Sequence, residues 1–173
     1  MKEEKHERVT FSNEEVIEKF GSTVYSAALD ITKHELDAQD VFQEVFLRYI
    51  RYKKGHTFNS LEHAKAWFIR VTINCCRDLF KKRNKKQKLE VDESALIAVA
   101  SPEKEEAEDY GVFEAVQELR ESYRIVIHLF YYEGYKIKEI ADLIDENENT
   151  IKTRLSRAKK ELEQKLSRQK ERR

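Results

Sequence analysis

Apolar residues recur at helical spacing along most of this chain, and their successive stripes predict a series of amphipathic helices. The first stripe is Ile17, Phe20, Val24, Ala28 and Ile31, on a helix expected to end near Thr32. Ser12, with Glu15 three residues later, makes a capping box at its start. Ala38, Val41, Phe42, Val45 and Tyr49 form the second stripe, widened by Phe46 and Ile50, with Asp37 as the expected cap. Gly55 to Asn59 reads as a loop. Ser60 then caps a long third helix, Leu61 to about Arg83, with Ala64, Phe68, Val71, Cys75 and Leu79 inward. Further on, Phe113, Val116 and Leu119 predict a short helix. Tyr123, Val126, Ile127, Phe130 and Tyr131 predict another, closed by Gly134. Two last stripes follow: Ile137, Ile140, Ala141, Ile144, and then Ile151, Leu155, Ala158, Leu162. Only Asp145-Glu146-Asn147 separates them. Asn147 is the expected N-cap, and Glu148 favours the positive end of the second helix. This pair reads as a helix-turn-helix.

Composition agrees with an all-α protein. Only 4 Gly and 1 Pro occur in 173 residues, and Leu, Ile, Glu and Lys dominate. Charge changes the picture more than its total of 0 suggests. Lys81, Lys82, Arg83, Lys85, Lys86 and Lys88 are six cations within eight residues, more than a helix C-terminus requires, which points to a polyanion. The segment after them turns acidic: Glu90, Asp92, Glu93, Glu103, Glu105, Glu106, Glu108 and Asp109 are opposed only by Lys104. The chain therefore divides into a helical domain at 1–88, an acidic linker at 89–111 and a second helical domain at 112–173. No stretch approaches a membrane span, and MKEEKHERVTF lacks the apolar core of a signal peptide, so a cytoplasmic protein is expected. Cys75 and Cys76 are neighbours and give no disulfide framework; small buried hydrophobes are the simpler reading. The five histidines form no ligand spacing with them. No catalytic centre, cofactor or metal site is expected.

Three polar faces carry candidate chemistry. On the last helix, Lys152, Thr153, Ser156, Arg157 and Lys160 fall away from the apolar stripe, flanked by Arg154. Cations and hydroxyls suit a helix in a DNA major groove, where they reach base edges and phosphates. A solvated face on an ordinary helical hairpin explains the same spacing equally well. On the second helix, Asp40, Gln43, Glu44 and Leu47 align at i, i+3, i+4 and i+7. Spacing alone favours a solvated face there over a dock for a basic partner helix. On the third, Arg70, Asn74, Arg77 and Lys81 share a face, and Trp67, Phe68 and Phe80 lie among the cations. Aromatics beside a basic stripe stack on unpaired bases, although core packing accounts for each ring too.

Two separated blocks carry a family resemblance. DAQDVFQEVFLRYI followed by AWFIRVTINCCRDLFKKR resembles region 2 of the bacterial sigma factors. LRESYRIVIHLFYYEGYKIKEIADLIDENENTIKTRLSRAKKEL resembles their region 4. The size and the acidic linker resemble the extracytoplasmic-function (ECF) class, which carries these two regions. The resemblance implies a non-catalytic specificity subunit that binds core RNA polymerase and directs promoter-specific initiation in transcriptional stress responses. Core docking is implied for Asp37, Asp40, Gln43, Glu44 and Leu47. Capture of the melted −10 element is implied for Trp67, Arg70, Asn74, Arg77, Lys81, Lys82 and Arg83. Reading of the −35 duplex is implied for Thr150, Lys152, Thr153, Arg154, Ser156, Arg157 and Lys160. The resemblance also implies a monomer when free and an anti-sigma factor as partner, frequently a membrane-anchored one.

The chain departs from the family pattern in places. Leu119-Arg120 stands where the family usually has Leu-Pro. The helix-turn-helix turn is acidic where glycine or small apolar residues are usual, so repulsion of phosphate is expected there. Tyr49 and Ile50 replace the usual small residue and tryptophan. The competing reading is an autonomous helix-turn-helix regulator that binds duplex DNA without polymerase. It leaves the acidic face of the second helix and the aromatic-basic third helix without a role. A nuclease would need a carboxylate cluster near the cations, and Asp78 alone is a poor candidate.

Overall fold

The computed structural model describes residues 8–90 and 110–171. Most of the acidic linker expected at 89–111 lies outside the described residues. The first three helices form one bundle: α1 (Asn13–Thr32), α2 (Glu35–Tyr52) and α3 (Leu61–Glu90). The capping box at α1 is reciprocal. Glu15 N–H donates to Ser12 Oγ at 3.1 Å, and Ser12 N–H donates to Glu15 Oε2 at 2.8 Å. The inward stripe is Val16, Phe20, Val24, Ala27, Ala28 and Ile31, so Val16 takes the place expected of Ile17, which is 47% exposed. Asp37 is not the cap of α2. The helix starts one turn earlier, behind His34, and Asp37 lies buried in its first turn. Ile50, expected to widen the α2 stripe, is exposed. Ser60 Oγ accepts His63 N–H at 3.1 Å at the start of α3. That helix runs past Arg83 to Glu90, through a segment of good helix formers with no glycine or proline to stop it. Phe68 is fully buried at the bundle's centre, stacked on Phe20 at 4.8 Å and packed against Phe46 and Tyr49 at 5.5 and 5.4 Å.

The second unit comprises α4 (Tyr110–Gln117), α5 (Glu121–Ile127), α6 (Ile137–Ile144) and α7 (Glu148–Glu171). From α5 the chain continues through a π-helical turn, His128–Tyr132. That wider turn breaks the 3.6-residue period. Leu129 is therefore buried, while Phe130 is only half-buried and Tyr131, expected inward, is exposed. Gly134 adopts φ +73°, the left-handed conformation that closes the segment. Phe113, also expected inward, is exposed, and Ala115, Val116 and Leu119 form the buried side.

The two units share one core, with α1 packed on α5 and α3 on α6. Enclosure on two sides accounts for the burial of Ile69, Ile73 and Cys76 on α3, outside the expected stripe. Val71 and Leu79, expected inward, are only half-buried.

Candidate nucleic-acid interface

The α6–α7 turn is built by local chemistry. Asp145 takes a left-handed conformation, φ 55°, which Asp tolerates better than most residues other than glycine. Asn147 Oδ1 accepts Asn149 N–H at 2.8 Å and starts α7. Burial of Ile151, Leu155 and Ala158 then turns Lys152, Thr153, Ser156, Arg157 and Lys160 to the exposed side, with Thr150 half-buried at their edge. Arg154 is directed elsewhere. Its Nη2 donates to Glu146 Oε1 at 2.9 Å. Of the turn's two acids, Glu146 is thus paired by α7 itself while Asp145 stays exposed, and Arg154 braces the turn.

The α3 face is divided between exposed and engaged groups. Asn74, Lys81 and Lys82 are exposed, and Arg77 is half-buried. Trp67 is half-buried against Tyr52 and Phe58, 4.8 and 5.8 Å between ring centroids. Arg70 reaches across to the second unit, donating from Nε to Leu143 O at 2.9 Å and from Nη2 to Asp142 O at 3.0 Å. It caps the C-terminus of α6. Arg83 pairs with Asp37 at 2.5 Å, joining two residues expected on different functional faces. Between α2 and α3 lies an open groove of about 490 Å³, flanked by Asp40, Glu44, Arg48, Asp78 and Lys82. Glu44 bonds Arg48 at 2.7 Å, and Arg48 also contacts Asp78 at 3.4 Å. Gln43 and Leu47 are exposed beside them. Burial pushes the Cys75 thiol in the groove up to about 11, so it stays protonated and inert at neutral pH.

The sequence reading missed a polar lock between the units. Arg124, 5% exposed, donates to Asp30 O at 3.1 Å, to Ile31 O at 2.5 Å, and to Leu119 O. It caps α1 as Arg70 caps α6, each arginine serving the other unit's helix. His128, 2% exposed, holds Asp30 Oδ2 with Nδ1 at 2.6 Å. Its Nε2 stands 3.6 Å from Glu133 Oε1, an ion-pair separation rather than a hydrogen bond, and Lys65 Nζ meets Glu133 Oε2 at 2.7 Å. The available signal was an arginine and a histidine inside the apolar run YRIVIHLF.

Burial disfavours the His128 cation, but Asp30 and Glu133 outweigh it and raise its pKa. Glu133 is lowered, chiefly by His128. A raised histidine contributes stability that is complete below its unfolded value of about 6.5 and is lost as pH rises through the folded value. A lowered glutamate contributes above its unfolded value, about 4.3, and loses that contribution as pH falls. Urea titrations are therefore expected to show stability declining above about pH 6.5 in the wild type, and declining less in His128→Gln. Parallel pH profiles for the two proteins would remove His128 from the lock.

Among the described residues no group of three His, Cys, Asp or Glu is placed to hold a metal ion, and no helix is long and apolar enough to cross a membrane.

Residues 16–86 match the family model Sigma-70 region 2, and residues 112–162 match Sigma-70, region 4. The chain is 30% identical over 136 residues to RNA polymerase sigma factor SigV of Bacillus subtilis, covering 79% of this chain and 80% of that protein. It is 27% identical over 155 residues to the ECF RNA polymerase sigma factor SigM of the same organism, covering 86% and 91%. Its fold resembles the sigma factor RpoE of Bartonella quintana, solved in complex with the anti-sigma factor NepR, with a TM-score of 0.69 at 19% identity over 89% of this chain and 95% of that one.

Proposed function

Because the chain belongs to the ECF class of RNA polymerase sigma factors, we propose how its faces divide the work of directing promoter-specific initiation. The observation that carries the division is the single-sided exposure of Lys152, Thr153, Ser156 and Arg157 on α7, behind a turn in which Arg154 holds Glu146. That helix enters the major groove of the −35 element, where Arg157 and Lys152 reach bases or phosphates. Thr150, Thr153, Ser156 and Lys160 line the same contact, and Arg154 positions the helix. Residues 112–173 act as the duplex-reading domain and 1–88 as the polymerase-docking and −10 domain, with 89–111 joining them.

The exposed edge of α2, with Asp40, Gln43, Glu44 and Leu47, docks on core polymerase. Asp37 serves it indirectly by fixing Arg83. Trp67, Asn74, Arg77, Lys81 and Lys82 take the melted −10 strand, cations on the backbone and the aromatic cluster beside a base. Arg70 joins them by exchanging its two carbonyl partners for the strand, which requires α6 to move off α3. The protein itself is non-catalytic and acts in the cytoplasm, and the polymerase performs the chemistry. An anti-sigma factor holds it inactive until the inducing signal arrives.

Reversing charge at Asp40 and Glu44 to lysine is expected to weaken core-polymerase binding about tenfold, mainly through slower, salt-sensitive association. Competition against a labelled wild-type sigma subunit measures it. Equal competition by the double variant would remove the α2 edge from the docking surface.

A further inference from the structure

Beside the exposed face of α7 lies an open cleft of about 410 Å³, between the start of α5 and the first turns of α7. Its lining is polar. Arg120, Ser122, Asn149, Thr153, Arg154 and Arg157 converge on it from the two helices. The three guanidiniums are not equivalent. Arg154 is committed to Glu146 at 2.9 Å. Arg157 is exposed, and no carboxylate is recorded against it among the described residues. Arg120 is exposed at the N-cap of α5, where its side chain caps nothing. Its guanidinium instead lies over the Tyr123 ring, 5.3 Å from the centroid, and Tyr123 is itself buried. A ring fixed in the core thus holds the cation at the mouth of the cleft. Arginine on an aromatic face keeps its N–H edge free to donate. Of the acids next to the lining, Glu146 is held by Arg154 and Glu148 lies 4.0 Å from Lys152.

An uncommitted Arg120 guanidinium with the Ser122 hydroxyl on the same lining matches the oxygens of a single phosphodiester. We propose that Arg120, together with Ser122, seats one backbone phosphate of the −35 duplex and so fixes the register in which Arg157 and the rest of α7 meet the bases. Proline at this position, as is usual in the family, supplies no such donor. The assignment rests on α7 as the duplex-reading helix.

The test uses holoenzyme assembled from core polymerase and the full chain. The probe is a duplex carrying the −35 element identified by transcription, together with the same duplex bearing a scrambled element. Arg120→Ala is expected to weaken both duplexes by the same factor. It is also expected to flatten the slope of log K against log salt by about 1, the signature of one lost phosphate contact. Arg120→Lys retains most of the slope. Replacing phosphates singly by methylphosphonate is expected to reveal one position whose neutralisation weakens the wild type and leaves Arg120→Ala unaffected. An unchanged slope with no such position, or a loss confined to the cognate duplex, overturns the phosphate seat. Arg157→Ala separates the two levels of the argument. If it weakens cognate binding while Arg120→Ala changes nothing, only the seat is wrong. If Arg157→Ala is also without effect, the α7 reading falls and takes the seat with it.

Discussion

Arg124→Met is expected to lower the unfolding free energy by about 3 kcal/mol or more, since each buried carbonyl left without a donor costs roughly 1–3 kcal/mol. The guanidinium serves Leu119 O within its own unit and Asp30 O and Ile31 O in the other. Methionine keeps much of the volume and removes every donor. The Ile31 and Leu119 acceptors lie in buried residues where water has little access, and Asp30 is half-buried. Urea denaturation of the full chain measures the loss. Arg70→Met is the internal comparison. It also removes two bonds to carbonyls of the opposite unit, but at an exposed position where water replaces the donors, so about 1 kcal/mol is expected. A loss below 1 kcal/mol for Arg124→Met would show that the carbonyls find other partners and that the lock contributes little.

Arg157→Ala is expected to cost about 1–3 kcal/mol on the cognate −35 duplex if the guanidinium grips a base edge, a loss of roughly 5- to 150-fold. Stability should hardly change, because the side chain is exposed. Discrimination between cognate and scrambled duplexes falls with it. Binding measured on both duplexes decides the matter: an equal loss on each makes Arg157 a phosphate contact only. Arg154→Ala should behave differently. It frees Glu146 beside the DNA and loosens the turn, so it weakens every duplex and lowers stability as well.

Features specified within a few residues were legible in the sequence. The Ser12–Glu15 capping box, the Ser60 cap and the Asn147 start of α7 depend on side chains at most three positions from the backbone they serve. The stripe of Ile151, Leu155 and Ala158 fixes the exposed side of α7 for the same reason. Periodicity failed where the helix itself was irregular. The π-helical turn at His128–Tyr132 displaced Tyr131 from the core, which no 3.6-residue count anticipates. It also failed where a second unit covers a helix: Ile69 and Cys76 are buried on a side of α3 that reads as peripheral in an isolated bundle.

The lock was not legible because its partners are remote along the chain. His128 and Asp30 are 98 positions apart, and Arg124 and Ile31 are 93 apart. Nor does spacing distinguish Arg154 from Arg157. Three residues apart on one helix, they differ because Glu146 stands eight positions before the first of them. Two candidates expected on different faces, Asp37 and Arg83, are also joined, and their ion pair ties the start of α2 to α3.

The central claim, that this chain directs polymerase to promoters through separate −10 and −35 faces, is tested most directly by transcription in vitro. Core bacterial RNA polymerase is supplied with a genomic fragment library, with and without the protein. The account predicts discrete new start sites that share two spaced upstream elements and that weaken in Arg157→Ala. No added initiation, together with tight duplex binding by the protein alone, would contradict it and leave an autonomous helix-turn-helix regulator.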